Sequence, residues 1–310
     1  MKVRSILENK NLRILGNVLT VLGIIFIAYA LYQKSSEFDA LYLSIRVVLS
    51  IFFGSILWIL FNVFLGLGWS SLLIVFGEKI DPRFAQKICL KTQIAKYVPG
   101  NVFQFVGRAL EYKLVYGGVS AAVRSILAES IILVFLAASV AVLFFVSTSY
   151  FLSYLVAPVL ITMMVLSVIA WAVFRAGKYR ILFKVHYSKY GVLKSVSCYY
   201  MIFILQTTIL YVILVGMKVP IQMDLYELHS VLTISWVVGY VVVGSPGGLG
   251  VRETVFAMLV QNESDSVELV IAIVFLRIAA AIGDLWSYLL SLFIKAPIVP
   301  HLMRRGVDAG

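Results

Sequence analysis

The feature that most constrains this chain is a helix break inside an apolar setting, Gly244-Ser245-Pro246-Gly247-Gly248-Leu249-Gly250-Val251-Arg252-Glu253. Residues 231–243 before it are apolar and helix-length, and 255–260 after it are apolar again. Proline and glycine stop the helix, and a cation and an anion follow at once. In hydrocarbon a freed backbone group is costly unless it is buried in protein or lines a wet cavity. An ionised side chain at mid-membrane adds roughly 2.5–3.5 kcal/mol on insertion scales. Two readings compete: a polar loop at the bilayer surface, where these residues are ordinary, and a site within the membrane.

A second copy favours the site. Lys96-Tyr97-Val98-Pro99-Gly100-Asn101, continuing to Arg108, repeats the order of apolar segment, Pro-Gly, turn residue, short apolar segment and Arg. Each copy leads into a long apolar run, 126–145 or 270–294. The Pro-to-Arg spacing differs, which marks a structural repeat and not a sequence duplication.

Of the 310 residues 62% are hydrophobic and 13% charged, against about 25% charged in soluble domains. This is the composition of a polytopic membrane protein. The net charge of +11 sits in the short segments between apolar runs, as the positive-inside rule produces, so nucleic acid is excluded as a partner. Cys89 and Cys198 lack metal or redox spacing and read as free packing residues. The three histidines are scattered, so no metal is expected.

A spanning helix needs about 20 apolar residues. Runs at 12–32, 41–76, 125–146, 151–174, 197–215 and 267–294 qualify. The run at 41–76 exceeds one span, so it is tilted, bent near Gly66 and Gly68, or extended beyond the bilayer. The first run is too long for a cleaved signal and reads as a retained span. Residues 84–116 and 228–261 each form two legs around a Pro-Gly apex, which reads as a re-entrant hairpin. The fold class expected is all-α, with six transmembrane helices and two inverted re-entrant hairpins in a single domain over 1–310. Its halves cover about 41–147 and 197–294.

The charge pattern supports this arrangement. With six spans, the basic N-terminus, 79–91, 113–124, 175–194 and the basic tail share the cytoplasmic side. The links at Glu37 and Asp39, 147–149, Asp224 and Glu227, and Glu263 and Asp265 share the other. Both termini are then cytoplasmic, and the hairpins enter from opposite sides, as in inverted-repeat transporters. An eight-span reading gives the same sides, so hairpin depth stays open at this point.

Each break starts a short helix whose free N–H groups and positive dipole end suit an anion. Arg108 and Arg252 add guanidinium forks, and Lys96 adds a point charge, for a phosphate or lipid headgroup. The substrate-binding set expected is Lys96, Pro99, Gly100, Arg108, Pro246, Gly247, Gly248, Gly250, Arg252, Glu253 and Arg277. Against it stands pairing of these cations with Glu111, Glu129, Glu253 or Asp284, or snorkelling of Lys96 to the surface. Glu253 points about 100° away from Arg252 around a helix and so meets another cation, Arg108 or Arg277. Arg277 and Asp284 share a helix face two turns apart, and each is expected to meet a partner on another helix. Glu129, Glu253 and Asp284 are candidates for proton or ion coupling, although Glu129 reads more simply as an interfacial residue. No Walker A, Gly-x-Ser-x-Gly or His-Glu-x-x-His motif occurs, so neither an enzyme nor a cofactor is expected.

The two stretches, Lys96 through Arg108 and Pro246 through Glu253, resemble the signatures of the lysylphosphatidylglycerol synthase transmembrane family, also called the flippase-like domain family. The resemblance runs from the first span to Pro297 and is more specific in the second stretch. It implies a bacterial or archaeal inner-membrane domain that translocates lipid, aminoacylated phosphatidylglycerol in the best-understood members. The chain leaves no room for the family's soluble aminoacyl-transfer domain. It therefore resembles stand-alone members, for which polyprenyl-linked sugars or other envelope lipids are the implied substrates. The function expected is movement of a phosphate-containing lipid between leaflets. A transporter of a small soluble anion, or an accessory subunit of an envelope glycosyltransferase, are the alternatives. A homo-oligomer or envelope-biosynthesis enzymes are the protein partners this reading admits.

Overall fold

The computed structural model describes residues 44–78, 80–97, 102–116, 118–148, 189–220, 222–242, 248, 250–261, 263 and 265–295, with side chains in the fourth segment up to 141. The expected spans at 12–32 and 151–174 lie outside the described residues, as do the apex residues Pro99, Gly100, Pro246 and Gly247.

The described residues form helices only. These are α1 (Ile45–Val75), α2 (Pro82–Thr92) with a 3-10 turn (Gln93–Tyr97), α3 (Phe103–Tyr116), α4 (Ser120–Thr148), α5 (Lys189–Met217), α6 (Leu225–Val241), α7 (Val251–Leu259) and α8 (Ser266–Phe293). In α1, in α5, in α8 and over Ser120–Ala141 of α4 the chain is long and apolar enough to cross a membrane. These four helices fall on four of the six runs expected to span. The order is long, short, short, long in each half, with the short pairs flanking the two Pro-Gly breaks.

The long helices pack closely where a side chain is missing. A Cβ at Gly54 would meet Ile209 at 2.9 Å, and one at Gly283 would meet Trp58 and the Ser55 carbonyl at 2.5 and 2.7 Å. Small residues therefore let α1 seat against both α5 and α8, the usual device where lipid offers no hydrophobic drive between helices. Gly66 and Gly68 serve the same end, since a Cβ there would strike Gln86 and Tyr199. The run at 41–76 is accordingly one continuous helix from 45 to 75, about 46 Å long at 1.5 Å per residue.

The surface is apolar and the interior carries charge. Ile45, Ile131, Leu114 and Phe293 are exposed, whereas Arg108, Glu129, Glu253 and Asp284 are buried. On α3 the buried residues are Gln104, Arg108 and Tyr112, one polar stripe at i, i+4 and i+8, while Leu110 and Leu114 face outward. Such an inverted helix is unfavourable in water and favourable in lipid.

Local signals position the short helices. Asp81 caps α2 by accepting from the Arg83 N–H at 2.8 Å, with Pro82 at the first helical position. The amphipathic α2 then ties to its neighbours, Gln86 Nε2 donating to the Val63 carbonyl and Lys87 Nζ to the Ile294 carbonyl, both at 2.8 Å. Gly250 caps α7 at φ +82°, a conformation that favours glycine. Its N–H donates to Glu253 Oε2 at 2.7 Å.

Candidate functional site

Four cations and three carboxylates from both halves converge in the interior. In the first half Arg108 Nη1 donates to both oxygens of Glu129 at 2.8 and 2.9 Å, and each side chain is 1% exposed. Tyr199 Oη donates to Glu129 Oε2 at 3.1 Å. Two aromatic rings, Trp69 and Phe105, lie 5.6 and 5.8 Å from the guanidinium. Arg108, expected to reach a ligand, is thus held by a carboxylate. Glu129, read as interfacial from its place one turn past Arg124, is buried. The reason for both is that α3 and α4 face each other with 108 and 129 at the same level.

Lys96 does not snorkel to the surface. The 3-10 turn after α2 brings Lys96 Nζ to 2.5 Å from Asp284 Oδ2, and Tyr97 Oη donates to the same oxygen at 2.7 Å. The other oxygen, Asp284 Oδ1, accepts from Asn62 Nδ2 at 2.9 Å and Trp58 Nε1 at 3.1 Å, both on α1. A carboxylate so surrounded is anchored, since charge-assisted bonds are stronger than neutral ones and its desolvation is compensated. Glu111, another candidate partner, pairs instead with Lys91 at 2.7 Å near the surface.

In the second half Glu253 Oε1 lies 3.1 Å from Arg277 Nε on α8, close enough for an ion pair but without hydrogen-bond alignment. Arg277 and Asp284, seven residues apart on one helix, therefore each meet a partner on another element.

Arg252 stands apart. Among the described residues it meets no carboxylate within ion-pair distance, and its buried Nε has no hydrogen-bond partner. Its guanidinium lies over Trp236, 5.3 Å from the ring centre. Trp236 stacks on Tyr240 at 4.7 Å and meets Phe203 edge-on at 5.1 Å. The stem of Arg252 runs through a notch made by two glycines. A Cβ at Gly239 would collide with Arg252 Cγ, and one at Gly248, which also has φ +75°, would lie 2.7 Å from Nε. Residue 252 is in the first turn of α7, where the dipole favours an anion and opposes a cation.

These groups border a cavity of about 60 Å³ between the halves. Its wall includes Lys96, Gln93, Gln104, Glu129, Arg252 and Arg277 with Trp58, Trp236 and Tyr240. Gln104 is 8% exposed, and its amide has no hydrogen-bond partner among the described residues. Arg108 is sealed behind Glu129, outside the wall. Among the described residues no group of His, Cys, Asp and Glu could hold a metal ion. What the arrangement offers chemically is a small, partly desolvated chamber with a guanidinium and an amide that no described residue engages by an ion pair or hydrogen bond.

Of the expected binding residues, the structure brings Lys96, Arg252 and Arg277 into the wall of this chamber and holds Arg108 and Glu253 behind it, paired with Glu129 and Arg277. Residues that sequence reasoning passed over are Trp58, Asn62, Tyr97, Gln104, Tyr199 and Trp236. Asn62 was legible as a lone amide in the apolar run 41–76, by the rule that polar groups inside a span are functional or paired. The tryptophans had no signal to separate them from the chain's other aromatics. Scanned against protein-family models and compared with curated proteins, the chain matches none.

Proposed function

We propose that this chain is a multi-pass protein of the inner, cytoplasmic membrane that moves a phosphate-bearing lipid between leaflets. In this reading there are six spans, two re-entrant helix pairs inserted from opposite sides, and cytoplasmic termini. The chain is a transporter and not an enzyme. The observation that carries the reading is Arg252, a cation lining an interior chamber with no carboxylate within ion-pair distance among the described residues. A partly buried charge without a counter-ion is costly, and a phosphate arriving from the bilayer would neutralise it.

The apolar exterior supports a lipid substrate, since acyl or prenyl chains can stay in the bilayer while the headgroup visits the interior. The resemblance of the two Pro-Gly stretches to the flippase-like domain family points the same way. The small size of the chamber favours one second reading, transport of a free inorganic anion.

Reconstitution into liposomes carrying labelled phospholipids or prenyl-linked phospholipids tests the proposal. Lipid movement above that of protein-free vesicles is expected with the unaltered protein and lost with Arg252→Gln. Movement that survives Arg252→Gln in a folded protein would sink the reading.

A further inference from the structure

Among the described residues, the charged groups of the chamber wall and their ion-pair partners are Lys96 with Asp284, Glu129 with Arg108, Arg277 with Glu253, and Arg252. The surplus is a single positive charge, and it sits on Arg252. The neighbouring Lys91 and Glu111 neutralise each other nearer the surface. In a desolvated interior the favoured ligand is the one that brings the net charge to zero, because each uncompensated charge bears a desolvation cost that Coulomb attraction does not recover. A dianion would leave a net negative charge enclosed.

The chamber of about 60 Å³ has room for a tetrahedral phosphate group. The Gln104 amide supplies a neutral donor on the wall, suited to an oxygen that carries only partial charge.

We infer that the chamber accepts one singly charged tetrahedral oxyanion, so that the substrate class is a phosphodiester, such as a glycerophospholipid or a prenyl-phospho-sugar, and not a diphosphate-linked lipid. This rests on the reading that the chamber receives the headgroup. The same chemistry could come from a free phosphodiester anion, and the test separates the two sources.

Calorimetric titration of the purified full-length protein in a neutral detergent at pH 8 provides the test, with two matched pairs of probes. Dimethyl phosphate and dihexanoyl phosphatidylglycerol are singly charged. Methyl phosphate and dihexanoyl phosphatidic acid carry close to two charges there, because the second ionisation of a phosphomonoester falls near pH 6. The singly charged lipid should bind at least about tenfold tighter than its doubly charged counterpart, a difference of about 1.4 kcal/mol. Glu253→Gln and, separately, Asp284→Asn each add one to the surplus charge and should reverse that order, so that a folding failure in one variant leaves the other. Equal or tighter binding of the dianions by the unaltered protein, or an order unchanged in both variants, overturns the inference while leaving lipid transport standing. If the tailless pair binds as tightly as the lipids, with the same charge preference, the charge rule holds and the lipid reading falls. Binding of all four probes undiminished by Arg252→Gln overturns both.

Discussion

Arg108 and Arg252 follow the two helix breaks in the same order of residues, and each rests on a tryptophan. Their fates differ because of what the next long helix brings. In the first half α4 presents Glu129, and the pair closes with both partners 1% exposed. In the second half α8 presents a cation, Arg277, which engages Glu253 and leaves Arg252 with no carboxylate among the described residues. A sequence motif can thus place an arginine in the interior without deciding whether it is structural or available. The partner helix decides that, about twenty residues downstream.

The comparison makes its strongest claim on Arg108. Arg108→Gln should strand Glu129 as a buried unpaired charge and destabilise the protein by about 3–5 kcal/mol, seen as a lower midpoint of thermal unfolding in detergent. The double variant with Glu129→Gln should recover most of that loss. Full stability of the single variant would break the contrast. Arg252→Gln should leave the unfolding midpoint nearly unchanged or raise it, and abolish lipid movement. Arg252→Lys should impair movement as well, because a point charge replaces a planar fork. A large stability loss at 252 would place the two arginines in the same class after all.

A subtler effect is expected from the glycine notch. Gly239→Ala puts a methyl group against the Arg252 stem, an overpacking cost of about 1–3 kcal/mol. The cost should shrink when Arg252 is shortened to Ala, and a cost independent of residue 252 would show that the notch serves helix packing alone. The smallest effect is expected at Lys91, whose pair with Glu111 is about one-third exposed on both sides. Lys91→Ala should change stability by no more than about 1 kcal/mol, which gives the unfolding series its baseline.

The helical class and four of the expected spans were legible because apolar run length is a local property. The expected spans at 41–76, 125–146, 197–215 and 267–294 became α1, α4, α5 and α8, with ends shifted by one to eight residues. The candidate site was legible as residue types but not as pairs. Nothing in the sequence sets the height of Glu129 against Arg108, since that depends on how α3 meets α4. Lys96 looked able to reach the surface because its stem is long, and only the 3-10 turn directs it inward to Asp284. The alternation of charge along α8, a cation at 277 and an anion at 284, did announce two separate partners.

The placement of Arg277 and Asp284 on α8 bears on how the protein is made. Synthesis runs from the N-terminus, so Lys96 and Glu253 are made before the helix that carries their counter-ions exists. Until α8 arrives, both lack the partners they meet in the folded protein. The first half cannot complete its own interior, because the anion for its 3-10 turn belongs to the second. Completion of both charged pairs therefore waits on α8.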